Sequence, residues 1–89
     1  MAAAFTPEVL QDTVAVSLAQ AVAAANKRAR EMGINVQESL ITISQTAANG
    51  SQLWRINYGP RDYMGQRGGD LIVEVDPGDA TVKRVFRGQ

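Results

Sequence analysis

Two rhythms divide this chain. From Leu10 onward, apolar residues return at steps of three and four: Leu10, Val14, Leu18, Ala21 or Val22, Ala25, Ala29 and Met32. That spacing makes one stripe on a 3.6-residue period, which predicts an amphipathic helix. Thr6-Pro7-Glu8 supplies its start. Thr6 can cap free N–H groups, Pro7 suits the first helical position, and Glu8 favours the positive end of the dipole. Gln11, Asp12, Gln20, Lys27, Arg28 and Arg30 lie on the opposite face. The three cations sit near the C-terminus, where the dipole favours them, and Gly33 is a natural left-handed stop. The predicted helix covers about 7–32, on the order of 39 Å at 1.5 Å per residue.

After Gly33 the period drops to two. Ser39 to Ser44 reads as a strand with Ile41 and Ile43 on one face. Asn49-Gly50 is a strong signal for a two-residue hairpin, because both residues tolerate positive φ. The chain then returns as a strand with Trp54, Ile56 and Tyr58 on one face, and Arg55 and Asn57 on the other. Gly59 to Gly69 is polar and glycine-rich, which predicts a loop. Leu71, Val73 and Val75 alternate in a third strand, placing Glu74 on its solvent side. Asp76-Pro77-Gly78-Asp79 predicts a turn in which Pro takes the second position and Gly supplies left-handed freedom. In the last strand Val82 and Phe86 share one parity and Val85 has the other. A bulge near Lys83–Arg84 would reconcile them.

The pattern therefore predicts an α+β fold in a single domain over 1–89. One long N-terminal helix packs on a four-stranded antiparallel meander, αββββ, with strands over about 38–47, 52–59, 70–76 and 80–87. The helix stripe and the sheet's apolar face cover each other. Strands of about seven residues span roughly 23 Å at 3.3 Å per residue, less than the helix. So the sheet must curl, or the first helical turns must project and meet something else.

Composition narrows the chemistry. In 89 residues there is no Cys and no His. Thiol nucleophiles, disulfides, zinc sites built on Cys or His, and imidazole bases are excluded. Nine basic residues balance nine acidic ones, for a net charge of zero. That argues against bulk electrostatic binding of nucleic acid. No apolar run reaches the roughly 18 residues of a membrane span, so no membrane insertion is expected. Met1 to Phe5 lacks the basic and apolar regions of a signal peptide. The reading is a cytoplasmic protein, or a secreted or envelope one if a leader is removed.

The remaining constellations are weak as catalytic sites. The carboxylates after Glu38 are scattered, and the Asp76–Asp79 turn lacks calcium-loop spacing. Gly65-Gln66-Arg67-Gly68-Gly69-Asp70 faintly resembles a phosphate-binding loop, but it leads into a strand instead of a helix. No catalytic, metal or cofactor residue is assigned, and the chain is read as a non-enzyme. The best candidates for contact with a partner are Arg61, Tyr63, Met64 and Arg67, residue types that interfaces favour, on a loop long enough to be functional. The small residues Ala15, Ser17, Ala19, Ala23 and Ala24 on the helix read as a solvated or lightly packed face, or as a surface for close helix–helix approach.

Ala29-x-x-x-Gly33, then Trp54-Arg55-Ile56, then Leu71-Ile72-Val73-Glu74-Val75-Asp76-Pro77-Gly78 and Val82 together resemble a PepSY-type domain. The resemblance spans roughly Val14 to Arg87. Pro77-Gly78-Asp79-Ala80 departs from the usual Thr-Gly hairpin. The helix-on-sheet order is also similar to cystatin-like folds, though their inhibitory loop is absent here. The PepSY resemblance implies a non-catalytic regulatory module. The functional expectation is binding of a protein or peptide partner, through the loop and the exposed strand edges. The alternative is a homodimeric structural module, and a small enzyme using the 59–70 loop is a more distant third.

Overall fold

A computed structural model describes residues 6–60 and 70–87. Its helical part falls in two pieces. A five-residue helix α1, Pro7–Gln11, precedes the long helix α2, Thr13–Glu31. The break corrects the single helix expected over 7–32. Asp12 causes it: its backbone is extended at φ −89° and ψ 107°, and its carboxylate accepts the Ala15 N–H at 3.0 Å as the cap of α2. Thr6, the expected cap, makes no such side-chain bond.

The stripe of α2 is read out in its burial. Ala21, Ala25 and Ala29 have no exposed surface, and Leu18, Val22 and Met32 pack beside them. Alanine at each step lets the helix backbone approach the sheet closely. The end of α2 is a glycine-closed motif. Gly33 adopts φ 88°, its N–H reaches the Arg30 carbonyl at 3.0 Å, and the Ile34 N–H reaches the Ala29 carbonyl at 2.9 Å.

A short 3₁₀ turn over Val36–Glu38 leads into the sheet. The strands are β1, Ser39–Ala48; β2, Ser51–Pro60; β3, Leu71–Val75; and β4, Val82–Arg87. They form one antiparallel sheet in the order β1-β2-β3-β4. The α+β class and the meander agree with the sequence pattern. β2 runs through Pro60, one residue past the expected strand over about 52–59 and into the loop expected from Gly59.

Asn49 at φ 52° and Gly50 at φ 81° make the β1–β2 turn. The β3–β4 turn differs from expectation at one residue. The left-handed position is Ala80, at φ 59°, and not Gly78. Asp76 organises the turn, its Oδ1 accepting the N–H of Gly78 at 2.7 Å and of Asp79 at 3.3 Å. The expected bulge is present at Lys83. Glu74 pairs with Arg84 while Val75 pairs with Val82, leaving Lys83 over. Val82 and Val85 therefore share the inner face, and Phe86 lies opposite Ile72 on the outer one.

Trp54, Ile56, Tyr58, Leu71, Val73 and Val75 face α2 and are buried, forming the core with its three alanines. Two polar contacts fix the helix along the sheet. The Trp54 indole donates to Ser17 Oγ at 2.9 Å, and that hydroxyl donates onward to the Pro77 carbonyl at 2.8 Å. Near the other end, the Tyr58 hydroxyl donates to Asn26 Oδ1 at 2.6 Å. Ser17 thus has a packing role that its place among the small residues did not announce.

Candidate functional site

The outer face of the sheet, away from α2, carries its buried charge. Glu74 was expected on the solvent side, yet it has no exposed surface. The face is the expected one; the cover comes from the neighbouring strands. Register places Glu74 between Arg55 on β2 and Arg84 on β4. Arg84 reaches Oε1 at 2.7 Å through both Nε and Nη2, and Arg55 approaches Oε2 at 3.4 Å. The Arg84 guanidinium also lies 5.2 Å from the centre of the Phe86 ring, a cation–π contact. Both arginines stay about half exposed, at 41% and 49% of their side-chain surface, so the anion is shielded while its partners keep their water. That arrangement ties three strands together through one carboxylate.

Beside it, Asn57 Nδ2 donates to Asp70 Oδ2 at 3.4 Å. Among the described residues nothing donates to the buried Asn57 Oδ1. No group of three or more Asp or Glu residues gathers as a metal site among the described residues. Arg61, Tyr63, Met64 and Arg67, the contact residues expected from the sequence, lie outside the described residues.

Among the described residues, exposed apolar side chains gather in two places, the first on the helical part. Val9 and Leu10 on α1 and Val14 in the first turn of α2 are exposed.

The second group is on β1. Among the described residues the helix packs chiefly on β2 and β3, and the inner-face side chains Ile41, Ile43, Gln45 and Ala47 of β1 stay exposed. Ile41 is 37% exposed and Ile43 40%, although both point to the same side as the core residues Tyr58 and Ile56 opposite them. On the outer side Leu40 is exposed as well. Among the described strands β1 is an edge strand of ten residues, without a charged residue or proline among them.

The hairpin turn settles which backbone groups that edge presents. Ala48 and Ser51 flank a two-residue turn, and in such hairpins the flanking residues form a hydrogen-bonded pair. Alternation then directs the N–H and C=O of Thr46, Ser44, Thr42 and Leu40 toward β2. Those of Ala47, Gln45, Ile43 and Ile41 point away from β2, and among the described residues no strand pairs with them. The residues with outward backbone groups are also those whose side chains lie on the uncovered inner face. The alternation Ile41-x-Ile43 signalled a strand; that it stands at an edge beyond the helix's reach was not legible without the packing.

The opposite edge, β4, has six residues, the bulge at Lys83, and the exposed cations Lys83, Arg84 and Arg87. Charge and bulges are the usual devices by which a strand edge refuses a neighbour. One edge of this sheet is defended and the other is not. No family model, curated protein or solved structure matches the chain.

Proposed function

We propose that this protein is a non-catalytic binding module that takes an extended protein or peptide segment along the open edge of β1. The observation that carries the reading is the coincidence, on one strand, of outward backbone groups, exposed Ile41 and Ile43, and no charge or proline. Strand addition uses those parts: backbone hydrogen bonds give affinity, and alternate side chains give specificity. A segment added beside β1 would extend the sheet and lay apolar side chains against Ile41 and Ile43. The hairpin grammar that resembles PepSY domains supports a regulatory rather than a catalytic module. Arg61, Tyr63, Met64 and Arg67 are proposed as further contacts on the residue types they bring.

A peptide library displayed on phage and selected against the immobilised protein tests this. Enriched peptides are expected to carry alternating apolar residues. They should lose at least tenfold in affinity toward Gln45→Pro, which removes an outward N–H and no β1–β2 bond. Failure of the protein to enrich any peptide while it stays a protomer, or equal binding to a folded Gln45→Pro variant, rejects the reading.

A further inference from the structure

We infer that the segment taken by β1 is β1 of a second copy of this chain, joined about a two-fold axis into a continuous eight-stranded sheet. This rests on the proposal that β1 is a strand-accepting edge and names its occupant. Charge is the first argument. β1 carries no ionisable side chain, so two copies meet there without repulsion, whereas two β4 edges would set Lys83, Arg84 and Arg87 against their equivalents. A β1-to-β4 contact would add strand to strand without closing, and it would have to use the bulged, cationic edge; a β1-to-β1 contact closes on itself.

The second argument is register. Antiparallel pairing centred on Thr42 sets Ile41 of each copy opposite Ile43 of the other. Both present outward backbone groups, so each such pair is a hydrogen-bonded one. On the inner face the four isoleucines close into one apolar strip. On the outer face Thr42 meets Thr42 of the second copy, a cross-strand pair that sheets favour, and Leu40 meets Ser44. The axis stands perpendicular to the sheet. Both helices therefore remain on one face, flanking the isoleucine strip, and the outer-face Glu74 clusters are undisturbed. Shifting the register by one residue would pair outward groups with inward ones and forfeit the ladder.

The chain has no cysteine, so a single introduced thiol reports the register directly. At the centre of the pairing the two Thr42 Cα atoms stand about 4.5 Å apart, within reach of a disulfide. Copper–phenanthroline, which takes two electrons from a pair of thiols as their two protons leave, is expected to cross-link Thr42→Cys at least tenfold faster than Lys27→Cys on the exposed side of the helix. Sedimentation from micromolar to millimolar concentration should show the wild type reaching twice the protomer mass of 9.6 kDa. Ile43→Lys, a change at an exposed site, should stay at the protomer mass with an unchanged circular dichroism spectrum. A wild type that remains a protomer throughout, or a dimer in which Thr42→Cys links no faster than Lys27→Cys, overturns the inference. A protomer that still binds library peptides, and loses them in Gln45→Pro, would reject the second copy while retaining the strand-accepting edge. A protomer that binds none rejects both.

Discussion

At Glu74 a carboxylate has been taken fully out of water on the face of the sheet that sequence alternation assigns to solvent. Removing one partner from a buried ion cluster leaves charge uncompensated and costs more than the pair contributes. The two arginines differ in geometry, with Arg84 at 2.7 Å and Arg55 at 3.4 Å. Arg84→Ala is therefore expected to destabilise by about 2–3 kcal/mol, below the fully buried case because Arg84 is half exposed. Arg55→Ala should cost roughly 1 kcal/mol, the scale of one net hydrogen bond. Equal midpoint shifts in urea denaturation would contradict that order. Tyr58 supplies a second test at this scale. Burial pushes its hydroxyl up to about 12, with Arg30 pulling weakly the other way. The unfolded chain titrates near the ordinary tyrosine value of about 10. The folded state thus holds this proton more tightly, and its contribution is complete below pH about 10 and lost as pH rises through about 12. Alkaline denaturation should steepen across that window in the wild type and flatten there in Tyr58→Phe. A parallel profile for the two proteins would show that Tyr58 is not the group responsible.

The elements are joined by small residues as much as by large ones. Ala21, Ala25 and Ala29 form the helix side of the core, each with no exposed surface. Extra methylenes there have nowhere to go, because Ile56, Tyr58, Leu71 and Val73 already fill the sheet side. Ala25→Leu should cost about 1–3 kcal/mol by overpacking, against near neutrality for Ala23→Leu on the exposed side of the same helix. A chemical-denaturation midpoint unchanged by Ala25→Leu would refute the close approach. Much of this was legible beforehand. The alanine stripe, the stop at Gly33, the Asn49-Gly50 hairpin and the bulge were each set by local chemistry. The break at Asp12 was not, because the apolar stripe runs unbroken from Leu10 to Met32 and only the capping bond to Ala15 interrupts the helix.

At the scale of the described molecule, α2 packs chiefly on β2 and β3, and the inner-face side chains of β1 stay exposed. This makes stability and association separable. Ile56→Ala, in the core, should destabilise by about 2–5 kcal/mol through a cavity. Ile43→Ala on the neighbouring strand, at 40% exposure, should cost well under half of that while weakening any partner that lies along β1. Thermal melts of the two variants, run beside the cross-linking and sedimentation measurements, give the comparison. If Ile43→Ala melts as low as Ile56→Ala, β1 is part of the protomer's own core and its edge is not a binding surface.

The residues by themselves determined the class of fold, because periodicity and turn chemistry act over a few neighbours: a 3.6-residue stripe closed by Gly33, then an alternating pattern punctuated at Asn49-Gly50 and Asp76 to Asp79. Only the tertiary structure decided which edge strand keeps its inner face exposed among the described residues, which outward side chain becomes buried, and which helix serine receives the Trp54 indole. Those outcomes depend on lateral strand neighbours and on where one element ends relative to another. Such distances are set by packing between segments far apart in the chain, and no short-range pattern encodes them.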